Sequence, residues 1–206
     1  MPDNFALLNE PRCPWLDLNL LKNKFFTFSS EVHPDKIHSG SEPEKNAADQ
    51  RYANLNAAYN CLREPKERLL HLLELELGAK PKDVQRIPPG TMDLFVEVGQ
   101  TCREADSFLK EKSEITSPLL KVQMFEKGMQ WTDQLNLLQG KINVRRDELL
   151  NELQTLNPIW DSAPAIGTPQ RAAMLPLERL EQIYRILSYV ARWTEQIQER
   201  LVQLSF

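Results

Sequence analysis

The tripeptide His33-Pro34-Asp35 is the most informative short motif in this chain for predicting a binding site. Proline disfavours the helical conformation of the residues next to it, so a helix is expected to end near Val32 and a loop to begin at His33. Asp35 and Lys36 then stand exposed between two helices. A carboxylate in such a loop is suited to a charge-assisted contact with an arginine of a partner protein.

Apolar residues recur at helical spacing on both sides of this loop. The stripe before it is Leu18, Leu21, Phe25, Phe28 and Val32, with Asp17 as an expected N-cap, and the stripe after it is Ala48, Tyr52, Leu55, Tyr59 and Leu62. A further short helix is predicted from Pro65 to the stop signal Gly78. With only 7 glycines and almost no alternating β-branched runs, strands have little support, and the chain is predicted to be all-α.

Residues 79–90 hold three prolines and a glycine, which is typical of a linker or a sharp corner. Three long helical patterns follow, the first from Thr91 to Lys110, the second from Pro118 to the proline-containing loop at 157–170, and the third from Pro176. Three amphipathic helices bury their apolar stripes by forming a bundle. The predicted organisation is therefore an N-terminal domain over 1–78, a linker over 79–90 and a three-helix bundle over 91–206.

Composition and charge exclude several classes of function. The net charge of −4 argues against a sequence-independent nucleic-acid binder, and no apolar run approaches the roughly 18 residues that span a membrane. The first residues do not resemble a signal peptide, which favours the cytoplasm. The three cysteines and three histidines show no metal-ligand spacing, and no nucleotide-binding or nucleophile motif occurs. We therefore expect no metal, no cofactor and no enzymatic site of its own.

Four stretches resemble one family. The stretches NFALLNEP, LLKNKFFTFSSEVHPDKIHSGS and ANLNAAYNCLREPKERLLHLLELELG are similar to the helices and loop of the J-domain, and within that family to the iron–sulfur cluster assembly type, HscB-like. The end of the chain, RILSYVARWTEQIQERLVQLSF, is similar to the last helix of that type. The resemblance implies an N-terminal J-domain packed against a C-terminal three-helix bundle.

The resemblance also implies two partners. The J-domain would stimulate the ATPase of a DnaK-type (HscA-like) chaperone by shifting its conformational population, so that the chain itself needs no catalytic residue. The residues expected to bind the chaperone are His33, Pro34, Asp35, Lys36, Lys22 and Lys24. The bundle would bind an iron–sulfur cluster scaffold protein (IscU-like) and deliver it to the chaperone. The residues expected to bind the scaffold are Met92, Leu94, Phe95, Val98 and Ile186.

On the first bundle helix, the expected core stripe is Leu94, Val98, Cys102, Ala105 and Leu109. Met92 and Phe95 lie off this stripe because each residue turns the helix by about 100°. Leu94 and Phe95 compete for the same scaffold-binding role, and Ile186 is the matching position on the last helix. The alternative is that Phe95 packs on the helix that follows Pro65.

Two departures from the J-domain pattern keep other functions open. Val32 stands where a tyrosine is usual, and the second helix carries Lys22 and Lys24 but ends in Ser29, Ser30 and Glu31 rather than in a basic row. One alternative is an interaction protein whose chaperone contact is weakened. Another is a general J-protein for unfolded clients, although the chain lacks the usual glycine-rich and zinc-binding modules. Both a monomer and a weak homodimer remain compatible with the pattern of the last helix.

Overall fold

The computed structural model describes residues 2–32, 41–81, 88 and 90–205, and every regular element in these ranges is an α-helix. The helices there are α1 (Asn4–Leu7), α2 (Leu18–Glu31), α3 (Glu42–Arg63), α4 (Pro65–Leu77), α5 (Met92–Glu114), α6 (Pro118–Asp161), α7 (Pro169–Met174) and α8 (Leu177–Leu204). The all-α prediction is confirmed. No helix in the described part of the chain is long and apolar enough to cross a membrane.

The predicted helix ends follow local capping rules. The Asp17 carboxylate accepts the backbone N–H groups of Asn19 and Leu20 at 2.8 and 3.1 Å, so it supplies partners for two donors that have none inside α2. Gly78 ends α4 with a φ of 73°, in the left-handed region that glycine enters without a Cβ clash. Both positions were predicted from the sequence and are confirmed.

Three helices differ from the sequence prediction. Helix α6 continues through Pro158 to Asp161, whereas the loop was expected to begin at 157. Pro158 has no backbone N–H, so the helix loses one hydrogen bond near its last turn, which costs little there. The Pro158 carbonyl oxygen still accepts the Ser162 N–H at 3.2 Å. Within the same predicted loop, the short helix α7 was not anticipated. Helix α5 also runs four residues beyond Lys110.

Contacts divide the chain into two compact units. The first unit comprises Met1–Asp83 and Leu150–Tyr184, and the second comprises Val84–Leu149 and Arg185–Phe206. The long helices α6 and α8 therefore contribute residues to both. The predicted division into 1–78, 79–90 and 91–206 follows chain order rather than contacts, and its boundaries stay a prediction.

The core of the first unit is built around α3, which lies beside α1, α2 and α4. The rings of Phe25 in α2 and Tyr59 in α3 stack with centroids 4.4 Å apart. Its other buried apolar side chains come from α1 to α4 and from the parts of α6 and α8 in this unit, and include Phe5, Leu21, Leu55, Leu62, Leu69, Leu72, Leu153 and Ile183.

The core of the second unit is formed by α5 and by parts of α6 and α8. Polar side chains link these helices in pairs: Lys141 to Glu97 at 2.6 Å and Gln139 to Thr194 at 3.2 Å. A third link joins Arg200 to an acid of α5. Between the helices lie apolar side chains that include Val98, Cys102, Phe108, Leu135, Leu138, Ile142, Val190, Trp193 and Ile197.

Candidate functional site

The loop predicted to bind a chaperone is bounded by two helix ends that the structure describes. Helix α2 ends with the C-cap Val32, and helix α3 begins after the N-cap Ser41. The helix end near Val32 was predicted from the proline that follows and is confirmed. The loop residues expected to bind the chaperone lie outside the described part of the chain; they are His33, Pro34, Asp35 and Lys36. Their role stays a prediction.

The start of α3 is held by Glu44. Its carboxylate oxygen accepts the Ser41 backbone N–H at 2.7 Å and the Ser41 hydroxyl at 2.8 Å. These two bonds, the backbone one first, lower the pKa of the Glu44 carboxyl. The carboxylate is also placed at the positive end of the helix dipole. The chain therefore leaves the predicted loop at a defined, capped position.

The two lysines expected to bind the chaperone differ in their surroundings. Lys24 donates to the Asn9 carbonyl oxygen at 2.8 Å and pairs with the Glu10 carboxylate at 2.9 Å. Lys22 is exposed, and its ammonium lies 5.7 Å from the centroid of the Phe26 ring. Lys22 is thus presented to solvent on α2, whereas Lys24 ties α2 to the segment after α1.

The exposed face of α2 is more apolar than the sequence analysis recognised. Leu18, Leu20 and Phe26 are all exposed large hydrophobic residues, and Phe26 is 56% exposed. Leu18, Lys22 and Phe26 recur at steps of four, which places them on one stripe of the helix. An exposed apolar stripe beside a lysine is typical of a protein-binding surface. The sequence prediction placed Leu18 on the core stripe, which is wrong because Leu18 is 51% exposed. Leu20 and Phe26 were not assigned to that stripe.

On the bundle, three apolar residues of α5 stand exposed. Met92 and Val96 are more than half exposed, and Phe95 is 39% exposed. Phe95 makes an edge-on contact with Tyr189 of α8, with ring centroids 6.3 Å apart, and Leu94 is half-buried. The exposure of Met92 and Phe95 agrees with the expectation that they lie off the core stripe. Tyr189 was not among the predicted residues.

Val98 and Ile186 are not accessible as the expected scaffold contact requires. Ile186 is 1% exposed and Val98 is 2% exposed, so both belong to the core of the second unit. The expected cluster of Met92, Phe95 and Ile186 on one open surface is corrected accordingly, because the facing helices cover Ile186. On α8, Tyr189 is the residue that meets Phe95. Scaffold binding by any of these residues stays a prediction.

The buried polar residues of the first unit are structural. The Arg68 guanidinium donates to the carbonyl oxygens of Pro14 and Leu62 at 2.9 and 2.6 Å, and burial lowers its pKa to about 10. Burial raises the pKa of the neighbouring Cys13 thiol to about 12. Only a thiolate is a strong nucleophile or metal ligand, so Cys13 is inert at neutral pH. Among the described residues, no three His, Cys, Asp or Glu side chains are grouped to hold a metal ion.

No protein-family model matches the sequence. Among solved structures, the crystal structure of the human co-chaperone protein HscB superposes with a TM-score of 0.60, over 96% of this chain and 81% of that chain. The chain has the HscB fold. At 18% identity this likeness shows the fold alone. The chaperone HscB from Vibrio cholerae is also similar, with a TM-score of 0.48 and 20% identity over 95% of this chain and 99% of that one. The HscB fold agrees with the resemblance that the motifs indicate.

Proposed function

We propose that this protein is a co-chaperone of iron–sulfur cluster assembly. It stimulates the ATPase of a DnaK-type (HscA-like) chaperone and delivers a cluster scaffold protein (IscU-like) to it. The observation that carries the proposal is the HscB fold over 96% of the chain, together with His33-Pro34-Asp35 between α2 and α3. A fold alone does not define a function, and the tripeptide, which stands between α2 and α3 in the sequence, supplies the residues that support this one.

The chaperone-binding half of the proposal uses charge and shape rather than catalysis. Asp35 makes a charge-assisted contact with an arginine of the chaperone, and His33 and Pro34 shape the loop. Lys22 adds a cation on the exposed face of α2, beside Phe26. Hydrolysis is accelerated because the complex favours the hydrolytically competent conformation of the chaperone.

The scaffold-binding half uses the exposed apolar residues of the second unit. Met92 adapts its shape to a partner because its side chain is unbranched and flexible, and Phe95 provides a rigid anchor. The edge-on contact of Phe95 with Tyr189 restrains the ring before a partner arrives. A restrained anchor loses less conformational entropy on binding. These contacts support the placement of the scaffold surface on α5 and α8.

The decisive experiment is single-turnover ATP hydrolysis by a DnaK-type chaperone with the wild-type protein and with Asp35→Asn. The substitution keeps the size of the side chain and removes its charge, so stimulation is expected to collapse while the helical circular-dichroism signal is unchanged. Asp49→Asn is the matched control, because Asp49 is an exposed aspartate of α3 outside the loop. Equal stimulation by Asp35→Asn and the wild type would refute the chaperone role.

One observation favours a second candidate, an interaction protein whose chaperone contact is weakened. Lys24 is engaged by Glu10, and α2 ends in Ser29, Ser30 and Glu31, so the described part of α2 offers little free positive charge. For this candidate, the wild-type protein binds the scaffold in calorimetry but gives no stimulation in the ATPase assay. The two proposals thus differ in the behaviour of the wild type itself.

A further inference from the structure

A groove of about 700 Å³ opens in the second unit, at the opposite end of α5 from Met92 and Phe95. It is formed by the last turns of α5, the first turns of α6 and the end of α8. Its lining is Leu109, Lys112, Ser113, Ile115, Lys121, Met124, Phe125, Gln203, Leu204 and Ser205. Small-molecule sites have volumes of roughly 300 to 1,000 Å³ and a mostly apolar lining with a few polar groups. The groove falls within that volume range, and five of its ten lining residues are apolar.

The apolar part of the groove continues onto the surface of α6. Phe125 is 68% exposed, and Leu119 and Val122, which precede it at steps of three along α6, are exposed as well. Met124, in contrast, is buried and forms the floor. Contiguous exposed apolar residues of this kind mark binding sites on soluble proteins. The exposed ring of Phe125 is therefore placed to cover an apolar ligand that rests on Met124.

Both charged side chains among the described residues that line the groove are cations. Lys112 and Lys121 line it, and none of its ten lining residues is acidic. Lys112 donates to the Leu204 carbonyl oxygen at 3.1 Å, which holds its ammonium at the rim. Lys121 lies in the first turn of α6, where the positive end of the helix dipole adds to its attraction for an anion. The ends of α5 and α8 contribute about half a negative charge each, which the two ammonium groups outweigh. The groove is therefore complementary to an apolar molecule with a negative end.

We propose that this groove binds a single-chain amphiphile with an anionic headgroup, of the fatty-acid class. The chain of the ligand lies on Met124 under Phe125, and the headgroup meets Lys121 and Lys112. The volume favours a small ligand over a partner helix. A helix with side chains is about 10 to 12 Å wide and 5.4 Å per turn, so the groove holds only about one to two turns.

The test is isothermal titration calorimetry of the full chain with dodecanoate and with dodecyltrimethylammonium, each below its micelle-forming concentration. Dodecanoate is expected to bind at one site per chain, at least about fivefold more tightly than the cation of equal chain length. Lys121→Glu is expected to lower the affinity for dodecanoate by about fivefold, since the attraction of one exposed charge pair is replaced by repulsion. Phe125→Asp is expected to lower the same affinity by about tenfold or more, because the ligand chain loses its apolar contact with the phenylalanine ring.

Two matched controls lie on the same helix outside the groove. Lys127→Glu repeats the charge reversal and Leu137→Asp repeats the loss of an exposed apolar side chain, and both are expected to leave dodecanoate affinity unchanged. Because Phe125 and Lys121 are exposed, the melting temperature of their variants is expected to stay near that of the wild type. Equal weakening by the control variants overturns the proposal.

Other occupants are distinguished by the same set of proteins. Equal affinity for dodecanoate and the cationic amphiphile removes the role of the lysines and overturns the proposal. Co-sedimentation with phosphatidylglycerol vesicles without binding of free dodecanoate assigns the surface to a lipid bilayer instead. Analytical ultracentrifugation tests for a dimer. If the wild type is a dimer that Phe125→Asp dissociates and dodecanoate does not, the groove is assigned to a second copy of the chain.

Discussion

Arg171 in α7 and Glu76 in α4 form a two-bonded ion pair inside the first unit. The guanidinium Nε lies 2.8 Å from Oε2, and Nη2 lies 2.8 Å from Oε1. The side chains are 7% and 4% exposed, and Nη1 donates to the Pro164 carbonyl oxygen at 2.9 Å. The hydrogen bonds that Arg171 donates to the Glu76 carboxylate raise the pKa of Arg171. The pair connects α4 to the loop and short helix that follow α6.

Removing the cation from this pair is expected to destabilise the protein strongly. Arg171→Met leaves the Glu76 carboxylate buried without a partner, which costs about 3 kcal/mol or more of unfolding free energy. Arg179→Met is the matched control, because Arg179 pairs with Glu152 in the same two-bonded manner but at 40% and 32% exposure. The control is expected to lose about 1 kcal/mol or less. Urea denaturation of both variants measures the difference, and equal losses would contradict the role given to burial.

The stability of the first unit is expected to depend on pH through His71. Its Nε2 accepts the Asn4 backbone N–H at 3.0 Å, and its ring stacks on Phe5 with centroids 5.8 Å apart. Burial is the main cause that lowers the pKa of His71, since it disfavours the charged imidazolium. The unfolded chain, with a histidine pKa near 6.5, then binds the proton more tightly than the folded one. The contribution of His71 is therefore complete above about pH 6.5 and is lost as the pH falls toward the lowered folded value.

The variant His71→Gln tests this dependence. Glutamine retains an acceptor for the Asn4 N–H but does not titrate. We expect the stability difference between the wild type and His71→Gln to shrink as the pH is lowered from about 7.5 to about 5. Chemical denaturation at several pH values measures it, and a constant difference would show that His71 is not responsible.

The two lysines of α2 are expected to separate chaperone binding from stability. Lys22→Glu alters an exposed position, so the ATPase stimulation is expected to fall while the melting temperature stays unchanged. Lys24→Glu places a second carboxylate beside Glu10, so the melting temperature is expected to fall as well. Stimulation assays paired with thermal melts test both variants. If Lys22→Glu stimulates fully, the exposed face of α2 is not the chaperone surface.

Phe95 and Ile186 are expected to have opposite roles. Phe95→Ala removes an exposed anchor, and we expect scaffold affinity to fall by about 2 kcal/mol with little change in melting temperature. Ile186→Ala empties a core position and is expected to lower the unfolding free energy by about 2 to 5 kcal/mol. Calorimetry with the scaffold and urea denaturation separate these effects. Intact scaffold affinity in Phe95→Ala would place the scaffold surface elsewhere.

Local features of this protein follow from short stretches of its amino-acid sequence. The Asp17 cap, the Gly78 stop and the helix end near Val32 each depend on residues within one turn, so capping and proline rules were sufficient to predict them. The class of the fold followed from helical periodicity along the whole chain. The tripeptide His33-Pro34-Asp35 was equally visible, because a motif is defined by adjacent residues.

Which apolar residues are covered depends on how the helices pack together. Ile186 and Phe95 both belong to amphipathic helices, and periodicity alone does not show that one is 1% and the other 39% exposed. Their exposure depends on helices that lie far away in the chain. The pair of Arg171 with Glu76, 95 residues apart, was likewise invisible in the sequence. Burial and ion pairing of this kind arise from folding distant segments together, and no local spacing encodes them.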